Sequence, residues 1–313
     1  MIRRGLLFLL TCASWLCCAA APGYAAERDV VVVTSERSAS YDQAITALIG
    51  ELERGGLPRS AVSVITATDV PARTVAPPTL WIALGSEAAR VLTEARDQAP
   101  RLYALLPRTS FEWIAAQAGR KTSRKISAIY LDQPFSRQLD LLHLALPDAR
   151  RIGVLWGPGS KTLAPALASA ASARGLQVLS ATLKPGQALY PSLARVLNRS
   201  DVLLAVADPL VYNGNTIENI LLASFHASVP LVAFSPAYAR AGALLALYST
   251  PAQIGTQAGQ MAARAVLRGG QLPAPQYPAE FTVSANQHVA RSLGIDLDEI
   301  ALATRLRQME RAK

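Results

Sequence analysis

The stretch Ile126–Trp156, ISAIYLDQPFSRQLDLLHLALPDARRIGVLW, decides the reading of the chain. Ile126–Leu131 is a β-branched and aromatic run of strand length, closed by Asp132-Gln133-Pro134. Proline fixes φ and gives up an N–H that the first helical turn does not use, so Pro134 marks a helix start. Leu139, Leu142, His143 and Leu146 then recur at helical spacing until Pro147 stops the pattern. A second buried-strand run, Ile152–Trp156, follows at once. Strands alternate with helices on both sides of this junction, which predicts two α/β lobes with a ligand between them.

Working toward the N-terminus, the expected strands are Val30–Thr34, Ala61–Thr66, Thr79–Leu84 and Leu102–Leu106. Val30–Thr34 is apolar throughout, as a strand buried on both faces of a parallel sheet must be. Between the strands lie helical faces through Ile45–Leu52, from Gly85-Ser86 to Leu92, and over Phe111–Gln117; a Pro-rich passage occupies Pro71–Pro78. Beyond the junction the rhythm restarts. Helices are expected at Thr162–Ala173, around Leu193–Leu197 and at Asn215–Phe225, between strands at Gln177–Ala181, Val202–Val206, Leu231–Phe234 and Leu244–Tyr248. This alternation implies βαβ units and parallel sheets, in two Rossmann-like lobes. Gln253–Leu267 is a long helix ended by Gly269-Gly270, and Gln271–Pro278, with three prolines, is extended and would carry the chain back between lobes. A late strand, Phe281–Ser284, and a charged helix within Leu293–Arg307 complete the chain. The expected division is 27–131 plus 250–270 for the N-terminal lobe, and 132–249 plus 278–313 for the C-terminal lobe.

At 313 residues, with 51% apolar and 17% charged, the chain can build a sizeable core and is not a disordered polymer. Its N-terminus has the three zones of a cleaved secretory signal over 1–25: basic Arg3-Arg4, apolar Gly5–Ala21, and small residues from Pro22 to Ala26. The apolar run lies near the lower limit for an uncleaved membrane anchor, but the well-formed cleavage region favours removal. The Arg3-Arg4 pair raises twin-arginine export, against which the strongly apolar core favours the general route. Cys12, Cys17 and Cys18 follow Thr11, Leu16 and Cys17, unsuitable neighbours for a lipid-attachment site. All three cysteines lie in this leader, so the mature chain would hold no thiol, which suits an oxidising periplasm. Losing Arg3 and Arg4 takes the net charge from +9 to +7. The basic residues are scattered, with one short cluster at Lys121–Lys125, and export argues against a nucleic-acid partner.

Chemistry-bearing motifs are few. His143, His226 and His288 are the only histidines, and none has a carboxylate or second histidine at metal-ligand spacing. Each is expected in a structural role, with no metal and no cofactor. No G-x-S-x-G nucleophile turn is present. Trp156–Thr162, WGPGSKT, follows a strand and opens a helix like a phosphate loop, but Leu155 and Ser160 stand where that loop needs glycine. It reads instead as a cleft-facing turn.

In open parallel sheets, ligands bind beyond the carboxyl ends of the strands. Those ends carry Ser35, Gly85-Ser86, Asp132-Gln133, Trp156, Asp208, Ser235 and Ser249. Hydroxyl, amide and carboxylate groups there can orient a solute, while Tyr212, Tyr238 and Tyr248 pack on it. Ser86 also sits where a helix N-terminus offers free N–H groups, and Asp208 and Asn213 flank a loop facing the cleft from the second lobe. Helix capping is the competing role for each.

Three runs carry a family resemblance: IALGSEAARVL at Ile82–Leu92, QLDLLHLALPDARRIGVLW at Gln138–Trp156, and IGTQAGQMAARAVLRGGQLP at Ile254–Pro273. In order and spacing they resemble the periplasmic substrate-binding proteins of ABC transporters, in the branch that includes tryptophan and tyrosine importer-associated binding proteins. The resemblance covers nearly the whole mature chain. It implies a type I periplasmic-binding-protein fold, two lobes joined by three crossovers and closing on a ligand by hinge motion. It also implies Ser86 in the first-lobe part of the site, and Asp208 and Asn213 in the second. Asp132-Gln133-Pro134 and Trp156 depart from the smaller or polar residues frequent in relatives.

The reading that follows is a non-enzymatic, monomeric carrier in the periplasm. It holds a small organic ligand with Ser35, Ser86, Asp132, Trp156, Asp208, Tyr212, Asn213, Ser235 and Tyr238, and delivers it to an ABC permease in the inner membrane. The alternatives are an exported sensor of the same fold acting on a receptor or kinase, an enzyme (which lacks a nucleophile–base pair), and a cytoplasmic repressor (which lacks a DNA-binding headpiece).

Overall fold

The computed structural model describes residues 29–72, 77–95, 97–117 and 124–312. The expected leader, part of the Pro-rich passage and the first three residues of the basic cluster lie outside them. The first lobe opens with β1 (Val30–Thr34), α1 (Ala39–Arg54), β2 (Val62–Thr66), β3 (Leu80–Leu84) and α2 (Ser86–Glu94). It continues with β4 (Arg101–Leu106), α3 (Arg108–Gln117) and β5 (Ile126–Tyr130). The five strands form one parallel sheet in the order β2-β1-β3-β4-β5. β1 is apolar throughout because both its faces are covered. Val30 and Val32 pack with Leu48 and Leu52 of α1, while Val31 and Val33 pack with Ala88 and Leu92 of α2.

The chain then crosses through residues 131–134 into α4 (Phe135–Ala145), with Pro134 at its N-cap as the sequence predicts. The second lobe follows as β6 (Arg151–Trp156), α5 (Ala164–Ser172), β7 (Gln177–Thr182), α6 (Leu189–Leu197) and β8 (Val202–Leu204). Then come α7 (Ile217–His226), β9 (Leu231–Ala233), α8 (Pro236–Ala241) and β10 (Leu245–Tyr248). A second crossing at Ser249-Thr250 leads into α9 (Pro251–Leu267), which packs on α1 in the first lobe. The approach is close because a Cβ on Gly255 or Gly259 would overlap the backbone of Ala44 or Leu48. Residues 271–276 run beside β5: the Gln276 N–H donates to the Ala128 carbonyl (2.9 Å), and the Tyr130 N–H donates to the Gln276 carbonyl (3.0 Å). A third crossing over 277–281 returns the chain to β11 (Thr282–Ala285), α10 (Gln287–Ser292) and α11 (Glu299–Arg311). The second sheet runs β11-β10-β9-β8-β6-β7, parallel except for β11 against β10. Among the described residues, no helix is long and apolar enough to cross a membrane.

Three sequence expectations need correction. α8 and α10 are additional short helices, while the charged terminal helix expected within Leu293–Arg307 is present as α11, beginning at Glu299 after the Gly294 turn, where φ is positive. The buried face of α4 includes Leu139, Leu141, Leu142 and Ala145, with His143 outside it and exposed. The polar positions on that face are occupied by ion-paired side chains instead: Asp140 meets Arg174 at 2.9 Å, and Arg137 meets Glu310 of α11 at 2.6 Å. His226 and His288 are exposed as well, so none of the three histidines is a core residue.

Candidate functional site

A cavity of about 430 Å³ lies between the lobes at the carboxyl ends of their strands. Each wall follows from chain order. The first lobe contributes Ser40 from the start of α1 and Pro107-Arg108 from the end of β4. The crossings contribute Leu131, Asp132, Gln133, Ser249, Pro251 and Tyr277. The second-lobe wall is largely apolar: Phe135 of α4, Leu163, Ala205–Ala207 after β8, Phe234 after β9 and Leu247 of β10. This volume and apolar bias lie within the range of small-molecule sites. A larger hollow of about 920 Å³ lies against α9, lined by Arg264, Arg268 and residues 271–276. It belongs to the first lobe and its returning segment, so closure of the lobes would not enclose it.

Most polar groups at the cavity already hold one another. Gln133 is the centre: its Nε2 donates to Ser249 Oγ (2.8 Å), which donates to the Glu280 carbonyl (2.6 Å). Its Oε1 accepts from Arg137 Nη1 (2.7 Å), which also donates to the Pro278 carbonyl (2.9 Å). One amide therefore ties together all three crossings. Gln138 Nε2 caps the Gln133 carbonyl (2.7 Å). Beside this network, the Arg108 backbone N–H donates to Asp132 Oδ2, while the Arg108 guanidinium donates to Glu112 (2.7 Å) and to the Tyr277 hydroxyl (2.9 Å). It also lies over the ring of Tyr130, 6.0 Å from its centroid. Burial pushes the Asp132 carboxyl above its ordinary range, against the smaller opposing pull of the Arg108 N–H.

Of the nine residues expected to hold the ligand, Asp132 and Ser235 line this cavity, as do Gln133, Ser249 and Tyr248, also expected at the cleft. Ser235 is also the N-cap of α8, its Oγ accepting from the Ala237 N–H (3.3 Å). Tyr238 and Tyr212 stand behind the wall, ring edges against Phe234 at centroid distances of 5.3 and 5.9 Å, and so brace the residue that faces the space. Desolvation raises the titration of both phenols. Ser35 ties β1 to α2, accepting from the Ala88 N–H and donating to the Leu84 carbonyl, both at 3.0 Å. Ser86 is exposed on the first turn of α2. Asn213 shapes its own turn, its Nδ2 donating to the Pro209 carbonyl (2.9 Å) and its Oδ1 accepting from the Asn215 N–H (2.9 Å).

Trp156 is 2% exposed, in the core with Val154 and Leu167, and Asp208 is 3% exposed beneath the Gly157–Ser160 turn. Asp208 Oδ1 accepts from the Leu210 N–H (2.9 Å). Its Oδ2, the Tyr212 hydroxyl and the Trp156 indole N–H are buried without a hydrogen-bond partner among the described residues. A Cβ on Gly157 would collide with the Asp208 carboxylate, so that glycine is a packing requirement and no part of a phosphate cradle. Among the described residues no cluster of His, Cys, Asp and Glu could hold a metal.

Arg108 and Tyr277 are additions that the sequence reading missed. Pro107-Arg108 follows a predicted strand, so the same strand-end rule points to it. Tyr277 sits in a Pro-rich segment without periodicity and leaves no comparable signal.

A family model described as ABC transporter substrate binding protein matches residues 77–307. No curated protein matches the sequence. Among solved structures, the chain is similar to the ligand-free, open form of a substrate binding protein with adhesive properties from Clostridium difficile (17% identity, 87% of this chain and 96% of that one, TM-score 0.68). It is also similar to a conserved domain protein from Vibrio cholerae (20%, 88% and 98%, 0.63). A third is an ABC domain from Streptococcus pneumoniae in complex with L-Trp (16%, 88% and 98%, 0.60). The shared architecture is the type I periplasmic-binding-protein fold.

Proposed function

The chain belongs to the family of ABC transporter substrate-binding proteins, and from that premise we propose that it is an exported, non-enzymatic carrier. It captures a small organic solute between its lobes and presents the closed form to an ABC-type permease in the membrane. The observation that carries this reading is the interlobe cavity, apolar on the second-lobe side and polar at the crossings, with all three crossings joined through Gln133. A solute held first by one lobe gains contacts from the other only on closure, so its differential affinity for the closed form drives the motion. The Gln133 network gives the motion a common pivot. The buried Gln133 and Ser249 are committed to joining the crossings, so at the cavity they serve structure and the exclusion of water.

Filling the cavity tests this directly. Ala207 lines the cavity, is half-buried and lies outside the packed core, so Ala207→Trp places an indole in the space. Ligand that co-purifies with the wild-type mature protein, identified by mass spectrometry, should be missing from a folded Ala207→Trp variant. Equal retention by both proteins would refute the cavity as the binding site.

A further inference from the structure

We propose that the ligand presents a cationic amine, attached to an aromatic or aliphatic body, to Asp132 and Gln138 at the crossing end of the cavity. This inference rests on the interlobe cavity being the binding site and adds the chemical class that it selects.

Among the described residues, Arg108 and Asp132 are the only charged side chains lining the cavity. The charge of Arg108 is answered by its ion pair with Glu112 (2.7 Å), by the Tyr277 hydroxyl and by the face of Tyr130. Taken together, Arg108, Glu112 and Asp132 carry one net negative charge, and that excess sits on the half-buried Asp132. Among the described residues, Asp132 Oδ2 takes only a backbone N–H, and Oδ1 accepts no hydrogen bond from another residue. Gln133 and Ser249 use their polar atoms on protein partners, Tyr248 shares its hydroxyl with Ser284, and Ser235 Oγ accepts from the Ala237 N–H. The Ser40 and Ser235 hydroxyls can each still donate, but they are neutral and can equally accept. Gln138 donates Nε2 to the Gln133 carbonyl, and its Oε1 is left as an acceptor. The strongest open positions are therefore acceptors, led by an uncompensated carboxylate. An ammonium supplies up to three charged N–H donors to such a group, and charge-assisted bonds are about twice as strong as neutral ones.

The rest of the cavity suits the body of such a molecule. Phe135, Phe234, Tyr248 and Tyr277 line it with Leu163 and Leu247, which provides apolar area and ring faces that attract cations. A carboxylate on the ligand would meet the same negative excess, and among the described residues its one unengaged charged partner would be the second Nη of Arg108.

The test is calorimetric titration of the mature protein, at low salt, with tryptamine, indole-3-propionate and L-tryptophan, which share a ring and differ in charge. The same titrations are run on Asp132→Asn and Ala207→Trp, each checked for folding by thermal unfolding. Tryptamine should bind at least tenfold more tightly than either of the others. Asp132→Asn, which keeps an acceptor for the Arg108 N–H, should weaken tryptamine at least tenfold and leave indole-3-propionate unchanged or improved. Tighter binding of the acid or the amino acid, or no tryptamine binding, overturns the cationic class. If that preferred probe is excluded by Ala207→Trp, the cavity itself still stands as the site. A probe that binds Ala207→Trp as well as wild type removes the cavity reading along with the inference.

Discussion

Asp132 joins β5 to the first crossing and carries two opposed demands. Its carboxylate is the acceptor for the Arg108 N–H, yet burial disfavours its charged form. Asp132→Ala should therefore destabilise the fold by about 1–3 kcal/mol, since it strands a buried donor. Asp132→Asn keeps an acceptor and should behave differently with pH. A carboxyl whose folded-state pKa lies above its unfolded value holds its proton better when folded, so its favourable contribution exists at low pH and is lost as pH rises through the folded pKa. Relative to wild type, Asp132→Asn should gain stability at neutral pH, and the gain should vanish on acidification through that carboxyl's titration. Urea unfolding of both variants from pH 4 to 8 measures this; a gain that grows toward acid would contradict it. Legibility at this scale was uneven, for a geometric reason. Strand ends point toward the cleft, which identifies Asp132 and Ser235, but parity decides which way a side chain turns. Trp156 shares the phase of Ile152 and Val154 and so packs with them in the core, a consequence of the two-residue repeat that the strand-end rule ignores. Asp208 lies below its turn because Gly157 leaves room for it, a tertiary contact without a local signal.

Helices were most legible where they are long and capped. α9 follows from its apolar spacing, and its start at Pro251 follows from the capping box formed by Thr250 and Gln253. α8 is six residues long and too short for periodicity, although Ser235-Pro236 is a helix-start pair. The seam between α1 and α9 depends on Gly255 and Gly259, where any Cβ meets backbone that cannot rotate away. Gly255→Ala should cost about 1–3 kcal/mol by forcing the helices apart, although alanine is the better helix former. A lower urea midpoint with unchanged slope would bear this out; a gain in stability would show that the seam yields. The contact between α4 and α11 rests on charge. Arg137 is 6% exposed, is paired with Glu310 at 2.6 and 3.0 Å, and lies over Phe281 at 4.6 Å. Removing one partner of a buried pair is expensive, so Arg137→Met should destabilise by about 3–5 kcal/mol. It also takes a donor from Gln133 and from the Pro278 carbonyl. Glu310→Gln retains a hydrogen-bond acceptor and should cost less. Equal losses from the two variants would place the main energy in the ion pair alone, with none in the crossings.

The two-lobe arrangement was the most legible feature, because an uninterrupted series of strands and helices broken at Asp132-Gln133-Pro134 leaves few alternatives. What no sequence pattern conveys is that Gln133, Ser249 and Glu280, separated by 116 and 31 residues along the chain, meet at one point. In the proposed closing motion, that meeting would make the three crossings move together, since strain in one is passed to the other two through short hydrogen bonds. A ligand that bridges the lobes should then produce two linked effects. It should reduce the radius of gyration in solution scattering, because the second-lobe wall moves toward Arg108 and Asp132. It should also raise the unfolding free energy by about 2.7 kcal/mol when its free concentration is a hundredfold above its dissociation constant, provided that it binds only the folded chain. Both effects depend on the cavity being open: Ala207→Trp, at a half-buried position on its wall, should abolish both without loss of the fold. If a ligand stabilises the wild-type protein by that amount while the scattering curve stays the same, it is held by one lobe alone, and the crossings serve as a rigid brace, not a pivot.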